Sequence, residues 1–304
     1  MLVYETHFFI AGFMIFRNSS HQGTDVTDVD LSTGGKLLVV DLDLTVLCGD
    51  EYGERWLSQR SEKAFATARQ VGNVVMVATA RPPMTAFDLV HRLGSSACAY
   101  HNGGVVDLDC EHSSLQELGD DQNTENGNIV RFGVSVERCV EVCRQILARI
   151  PNLRMGIELN DTRYTNFDLT DVWPSQEYRL TDFNDMPEGM AQKIMMFPTD
   201  EQRESVRSLV PDDMALLISE DALWLLMNPR ATKRNAMDLA CRHFGIPVSD
   251  TVAFGDDLID MDLLEYAGCG VAVANAKPEV KDIASDRCPS NNEDGVAQWI
   301  GNHL

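Results

Sequence analysis

The chain has 304 residues, of which 25 are lysine or arginine and 47 are aspartate or glutamate, so its net charge is −22. This length suits two domains with sizeable cores, and a hydrophobic fraction of 44% is that of an ordinary globular protein. A surface this acidic repels nucleic acids and anionic membranes, which we exclude as partners. An anionic substrate would need local cations to overcome the overall field.

Residues 1–35 give no indication of function. The stretch from His7 to Phe16 is apolar, but no basic residue precedes it and no clear cleavage site follows, which argues against a signal peptide. The eight cysteines are scattered, with no Cys-x-x-Cys pair and no histidine at zinc-site spacing, so free thiols in a reducing cytosol are favoured. We therefore predict a cytoplasmic protein with an N-terminal extension of unknown role.

A short apolar run, Leu37 to Val40, stops at Asp41 and is followed by Asp43. A run without polar alternation is typical of a strand buried on both faces of a parallel sheet. Ligands bind beyond the carboxyl ends of such strands, and residues two apart share a face, so both carboxylates can reach one site. Because two acids repel each other, the pair predicts a metal, a protonated acid or both. Taken alone, this stretch is equally compatible with an Asp-rich turn that has no function.

A second buried strand, 74–78, runs into Thr79, and Pro82 and Pro83 then fit the first turn of a helix. A hydroxyl beside free backbone N–H groups suits an anion, although Thr79 is also compatible with a helix cap. The other elements predicted in this part of the chain are a helix and two strands, at 61–71, 97–100 and 105–108.

The character of the chain changes near Cys110. Residues 111–128 are polar and acidic without periodicity, as in a connection between domains. Beyond them, a helical stripe over 136–150 and a capping box at Thr199 accompany several strand-like segments. Strands that pair with helices and then with each other indicate a small α+β layer.

The first pattern resumes near Asn228. Thr232 caps a helix that begins at Lys233, and a buried strand ends in Asp256, with Asp260 one helical turn later. We predict an α/β fold, a Rossmann-like, doubly wound parallel sheet into which an α+β domain is inserted. The predicted boundaries are 36–108 and 227–304 for the sheet domain and 109–226 for the insert.

Three strands thus end in polar residues: Asp41 with Asp43, Thr79, and Asp256 with Asp260. A hard divalent cation that prefers oxygen ligands, with Mg²⁺ fitting best, would reconcile carboxylates from two strands. Lys233, at the start of its helix, either supplies positive charge to an anion or is a surface residue.

In order and context, these residues resemble the four motifs of the haloacid dehalogenase superfamily of phosphatases. The motifs are Asp41-Leu42-Asp43-Leu44-Thr45, Thr79, Lys233, and Gly255-Asp256 with Asp260. The insert resembles the type 2 cap of the Cof-like branch, and smaller similarities occur at Asn102-Gly103-Gly104, Asn275-Ala276 and 292–297. The resemblance covers about residues 36–304.

The resemblance implies that Asp41 is the nucleophile and forms an aspartyl-phosphate, while Asp43 protonates the leaving group and then deprotonates water. Thr79 and Lys233 would bind the transferring phosphoryl group. Asn102 is a further predicted substrate contact, and Arg81 either contacts substrate or stabilises its helix.

The resemblance also implies that Mg²⁺ is held by Asp41, the backbone carbonyl of Asp43, and Asp256. Asp260 would ligate the metal or orient a metal-bound water. Two positions depart from the family pattern: Leu44 replaces the usual glycine, and Ile259 replaces a common asparagine.

An acid at position 43 argues for a phosphatase or a phosphomutase within the superfamily. The leading hypothesis is a Mg²⁺-dependent phosphomonoesterase that acts on a small phosphorylated metabolite, for example a sugar phosphate. The alternatives are a phosphomutase and a phosphate-ligand binding protein with a disabled site. The segment 160–164 either faces the substrate or is an ordinary hairpin turn, and the oligomeric state is not indicated.

Overall fold

The structure, a computed structural model, describes residues 35–50, 53–119, 127–173, 176–219 and 222–304. All but the last residue of the predicted N-terminal extension lies outside these described residues. Within these ranges, none of the helices combines the length and apolar character that a membrane span requires.

The described residues form sixteen strands and nine α-helices. The strands are β1 Leu37–Val40, β2 Val74–Ala78, β3 Ala97–Tyr100, β4 Val105–Asp107, β5 Ile129–Arg131, β6 Val134–Ser135, β7 Arg154–Leu159, β8 Thr162–Thr165, β9 Tyr178–Leu180, β10 Met190–Ala191, β11 Lys193–Phe197, β12 Ala215–Ser219, β13 Leu223–Met227, β14 Thr251–Gly255, β15 Cys269–Val273 and β16 Asp286–Cys288. The helices are α1 Gln59–Gln70, α2 Pro83–Leu93, α3 Leu115–Gly119, α4 Val136–Arg149, α5 Asp200–Arg207, α6 Lys233–Phe244, α7 Met261–Tyr266, α8 Pro278–Ile283 and α9 Gly295–His303.

The first sheet has the strand order β16-β15-β14-β1-β2-β3-β4-β5. Neighbouring strands from β16 to β3 are parallel, and β4 and β5 add antiparallel pairs at one edge. All four residues of β1 are fully buried, as the unbroken apolar run predicts for a strand covered on both faces. Helix α1 contacts both α2 and α9, and helix α7 contacts both α6 and α8. The predicted Rossmann-like α/β fold is confirmed.

The second sheet has the order β12-β13-β11-β7-β8-β9. Alternate residues of its strands face opposite sides. On one side, Ile194 and Met196 of β11 join side chains of α4 and α5 in a separate hydrophobic cluster. On the other side, Met195 belongs to the core of the first sheet. The predicted α+β layer is therefore present, and its inner face packs toward the first sheet.

Two features of the first sheet were not expected. Strand β5 pairs with β4, although its residues fall inside the predicted insert 109–226, and β16 with α9 completes the other end. A three-residue strand such as β16 is too short to show a hydrophobic period, and the sheet that β5 joins depends on its pairing partner and not on its own pattern. The division into 36–108, 227–304 and 109–226 stays a prediction.

Candidate active site

The carboxyl end of β1 carries Asp41 and the turn that follows it. The N–H of Asp41 donates to the carbonyl of Phe254 at 3.1 Å, so the pairing of β1 with β14 brings Asp41 beside Asp256. Leu44, at the position where the family usually has glycine, has φ 58° and ψ 4°. This left-handed conformation costs a residue with a Cβ atom about 1–2 kcal/mol, which explains the usual preference for glycine there.

Three carboxylates form the centre of the site. Asp41, Asp256 and Asp260 are all buried and each offers an oxygen within 4.8 Å of the others. Asp256 accepts a hydrogen bond of 2.6 Å from the Thr45 hydroxyl. Burial raises the pKa of Asp41 to about 7, with Asp260 adding to the effect, and burial beside Asp41 likewise raises the pKa of Asp256. An all-oxygen set of mutually repelling acids fits a hard divalent cation, so the residues predicted to hold Mg²⁺ suit that ion.

Lys233 is the cation that this centre contains. Its Nζ lies 2.6 Å from Asp41 Oδ1 and 2.6 Å from Asp260 Oδ1, and the side chain is buried. Thr232 caps α6 by accepting the N–H of Asn235, which sets Lys233 at the first helical position. Burial alone would lower the pKa of Lys233, but Asp260 and Asp41 outweigh burial and raise it. Lys233 is therefore a charged residue inside the site and not a surface lysine.

Asp260 holds two parts of the site together. Its Oδ1 accepts from Lys233, and its Oδ2 accepts the backbone N–H groups of Asp256 and Asp257 at 3.1 Å each. A Cβ atom at Gly255 would lie 2.6 Å from the Cβ of Asp260, so glycine is needed for this close approach. Asp260 thus positions Lys233 and the turn that carries Asp256, and its direct or water-mediated contact with a metal stays a prediction.

The side chain of Asp43 is not a member of this three-carboxylate cluster. Arg81 donates to its two oxygens at 2.6 and 2.8 Å, and Arg55 Nη1 lies 2.8 Å from Oδ1. Burial would raise the pKa of Asp43, but the hydrogen bonds and charges of these two arginines lower it. Arg81 also donates to the Thr85 carbonyl at 3.3 Å, so it contacts both the site and its own helix. Arg55 was not predicted, because an isolated basic residue in the irregular stretch after β1 carries no motif.

Thr79 and Asn102 lie next to each other at the same edge of the sheet. Asn102 donates its N–H to the Thr79 carbonyl at 2.8 Å, and both residues are fully buried. The residue that caps α2 is Pro82, and the Thr79 hydroxyl accepts the N–H of Arg81 at 3.1 Å, so Thr79 does not cap this helix. Neither atom of the Asn102 amide has a hydrogen-bond partner among the described residues, which is unusual for a buried amide and suits a ligand contact.

The inner face of the second sheet carries a charged cluster that the sequence did not reveal. Lys193 of β11 is paired with Glu158 of β7, and Glu158 with Arg163 of β8, so the three side chains share one face. Glu158 lies 3.1 Å from Lys193 Nζ and 3.3 Å from Arg163 Nη2. His101, from the end of β3, contacts Lys193 at 3.4 Å and Asp161 at 3.5 Å. These contacts join the second sheet to the first.

A cavity of about 520 Å³ separates the two charged groups. Asp43, Arg55 and Arg81 line it on one side, and Glu158, Arg163 and Lys193 line it on the other. Its apolar lining includes Trp173, Leu223 and Leu225. The segment 160–164 thus contributes Arg163 to a cavity rather than forming only a hairpin turn.

Replacing Glu158 by glutamine is expected to lower the free energy of unfolding by about 3–5 kcal/mol at pH 7, because two buried cations lose their carboxylate. The pKa of Glu158 is lowered to about 2, since Lys193 and the other nearby cations outweigh burial. A lowered pKa stabilises the fold above the unfolded value of about 4.3 and loses that effect as the pH falls toward 2. Urea unfolding should therefore show a gap between wild type and Glu158→Gln that narrows below about pH 4.3.

The matched control is Glu141→Gln, which removes a carboxylate whose side chain is 56% exposed. We expect this change to alter stability by less than about 0.5 kcal/mol. Equal stability of wild type and Glu158→Gln at pH 7 would contradict the assignment of a buried ion pair.

Mg²⁺ is expected to raise the thermal unfolding midpoint, because a cation among Asp41, Asp256 and Asp260 removes their repulsion. At a concentration 100-fold above Kd the gain is about 2.7 kcal/mol, or roughly 4 °C for a chain of this size. Differential scanning fluorimetry at constant ionic strength measures the shift, with NaCl as the control. Asp256→Asn should lose most of it, and an undiminished shift in that variant would place the ion elsewhere.

Comparison with known proteins agrees with this geometry. Residues 38–300 match the family described as haloacid dehalogenase-like hydrolase. The chain is 23% identical over 282 residues to 5-amino-6-(5-phospho-D-ribitylamino)uracil phosphatase YitU of Bacillus subtilis, covering 89% of this chain and 98% of YitU. It is 34% identical over 118 residues to YxeH of Bacillus subtilis, a match that spans 39% of this chain and only 40% of YxeH.

A solved structure shows the same fold. BT1666 from Bacteroides thetaiotaomicron superposes with a TM-score of 0.72 at 18% sequence identity, over 92% of this chain and 98% of BT1666. The family match covers well over half of the chain, so the resemblance inferred from the four motifs is confirmed. The chain belongs to the haloacid dehalogenase-like hydrolases.

Proposed function

We propose that the chain is a Mg²⁺-dependent phosphomonoesterase that acts on a small phosphorylated metabolite, such as a sugar phosphate. The observation that supports this most strongly is the position of Lys233, within 2.6 Å of Asp41 in a buried cluster with Asp256 and Asp260. The name of YitU, which is a phosphatase, supports hydrolysis of a phosphate ester. The eight cysteines are all free, which supports the proposal that the enzyme works in the cytoplasm.

In the proposed reaction, an Asp41 oxygen attacks phosphorus and the bond from phosphorus to the ester oxygen breaks. Asp43 gives its proton to the leaving alkoxide. Asp43 then takes a proton from water, whose oxygen attacks the phosphorus of the aspartyl-phosphate and displaces Asp41. The products are inorganic phosphate and the free alcohol.

The other residues bind and neutralise charge. Lys233 and Thr79 hold the phosphoryl oxygens, with the Asn102 amide as a further contact. Mg²⁺, held by Asp41, Asp256 and the Asp43 carbonyl, would supply Lewis-acid neutralisation of the phosphoryl charge. It would also offset the repulsion between an anionic substrate and a protein of net charge −22.

Asp43 must carry a proton to act as the acid, yet its ion pairs with Arg55 and Arg81 favour the carboxylate. An arriving phosphoryl group offers these guanidinium groups another acceptor. We infer that substrate binding draws Arg81 and Arg55 toward the phosphate. This movement weakens their ion pairs with Asp43 and raises its pKa, so that Asp43 can carry the proton that the leaving group needs.

The test is a phosphate-release screen over sugar phosphates, nucleotides and cofactor phosphates, with and without Mg²⁺, and with p-nitrophenyl phosphate as a general substrate. We expect Mg²⁺-dependent release from at least one metabolite. An isomerised product without free phosphate would indicate a phosphomutase. Binding of phosphate esters without any turnover would indicate a phosphate-ligand binding protein.

A further inference from the structure

The far side of the cavity, opposite Asp43, holds a cluster of buried charged side chains. Of the side chains that line this side, Lys193 and Arg163 are cations and Glu158 is the anion. Glu158 is ionised, because its cationic neighbours lower its pKa to about 2. His101 adds no charge near neutral pH, since burial and Lys193 lower its pKa. With Asp161, whose carboxylate lies 3.5 Å from His101, the charged groups around this side are two cations and two acids.

One hydrogen-bond donor on this side is unsatisfied, and it belongs to Arg163. This residue is 7% exposed, and its Nε has no hydrogen-bond acceptor among the residues that the structure describes. Its Nη1 donates to the Asp161 carbonyl at 3.2 Å, and its Nη2 lies 3.3 Å from Glu158. A buried guanidinium donor without an acceptor is costly unless a ligand supplies one.

On the near side of the cavity, no buried donor of Arg55 or Arg81 lacks a partner among the residues that the structure describes. There the guanidinium groups of Arg55 and Arg81 both contact Asp43. The apolar lining from Trp173, Leu223 and Leu225 lowers the local dielectric and strengthens the attraction of an anion to Arg163. With Trp173 5.9 Å from the Arg163 guanidinium, the cation also has an aromatic neighbour.

We propose that Arg163, with Lys193, binds a carboxylate on the leaving part of the substrate, so that the enzyme prefers phosphate esters of hydroxy acids. This rests on the proposed phosphatase function. A carboxylate supplies the acceptor that Arg163 Nε lacks and brings one negative charge, whereas a second phosphate would bring nearly two. The cavity joins this site to Asp43, which protonates the leaving oxygen, so the carboxylate end and the ester end of one small molecule occupy opposite sides.

The test compares two substrates that differ at one carbon. 6-Phosphogluconate carries a carboxylate at C1, and glucitol 6-phosphate carries a hydroxymethyl group there. We expect wild type to show a kcat/KM at least about 10-fold higher for 6-phosphogluconate, as for one charge-assisted contact. As a second measurement on wild type alone, 6-phosphogluconate should inhibit p-nitrophenyl phosphate hydrolysis at a lower concentration than glucitol 6-phosphate does.

Arg163→Gln should bring the ratio of the two kcat/KM values close to one, and Arg163→Lys should keep part of it. The matched control is Arg179→Gln, an exposed arginine on β9 of the same sheet, which should keep the wild-type ratio. A residue that only neutralises Glu158 would, when replaced, lower both kcat/KM values equally and leave the ratio unchanged.

The possible failures can be told apart. No Mg²⁺-dependent release from p-nitrophenyl phosphate or from any metabolite would mean that the proposed function itself is wrong. Hydrolysis of p-nitrophenyl phosphate with no preference for 6-phosphogluconate, in turnover or in inhibition, would overturn the carboxylate site and leave the phosphatase function standing. An unchanged ratio in Arg163→Gln would overturn it as well.

Discussion

Replacement of Asp41 by asparagine is expected to lower phosphate release at least about 10³-fold, to the limit of detection. The amide keeps the shape of the side chain but cannot attack phosphorus, so the covalent step is lost. The fold should persist, because burial already disfavours the ionised form of Asp41 and raises its pKa to about 7. Asparagine removes that unfavourable charge while Lys233 keeps its contact with Asp260.

The measurement is release of inorganic phosphate from p-nitrophenyl phosphate at saturating Mg²⁺, together with circular dichroism to check the fold. Asp88→Asn is the matched control, since the Asp88 carboxylate is 84% exposed on α2 and lies outside the site. We expect wild-type activity from this control. A folded Asp41→Asn variant with substantial activity would show that another group is the nucleophile.

Replacement of Lys233 by methionine is expected to have the second large effect, on stability as well as activity. Asp41 and Asp260 would remain buried without the cation that lies 2.6 Å from each of them. Removing one partner of a buried ion pair costs about 3–5 kcal/mol, because the remaining charge is desolvated and unpaired. Phosphate release should also fall to background, since the phosphoryl group loses its protein cation.

Urea unfolding with and without Mg²⁺ measures this effect. A divalent ion among the same carboxylates should restore part of the lost free energy, so the variant should gain more from Mg²⁺ than wild type does. Lys63→Met, a change at an exposed position of α1, should alter neither stability nor activity beyond about 0.5 kcal/mol. Equal stability of Lys233→Met and wild type would mean that Lys233 does not stabilise the buried carboxylates of Asp41 and Asp260.

The centre of the site was predictable because it lies on local signals. Strands β1, β2 and β14 are buried on both faces, so each is an apolar run that stops where its polar residue begins. Parallel strands place their carboxyl ends at one edge of the sheet, which brings Asp41, Thr79 and Asp256 together. The start of α6 followed from its Thr232 cap, and that cap sets Lys233.

The roles predicted for these residues remain proposals, but the structure refines two of them. Asp260 was predicted to serve the metal, and its hydrogen bonds also position Lys233 and the turn at Asp256. Thr79 was compatible with a helix cap, and the cap of α2 is Pro82 instead. In both cases the local pattern allowed several hydrogen bonds, and the packing of neighbouring elements selected one set.

The sequence by itself determined the fold class, the strand ends that meet in the site and the family, because apolar runs, caps and acidic strand ends are local patterns. Only the tertiary structure decided that Arg55 reaches Asp43, that β5 joins the first sheet, and that Lys193, Glu158 and Arg163 lie side by side. These contacts depend on which strands pair and in which register. Register is set by the packing of a whole face, and a shift of one residue would turn each of these charges to the opposite side.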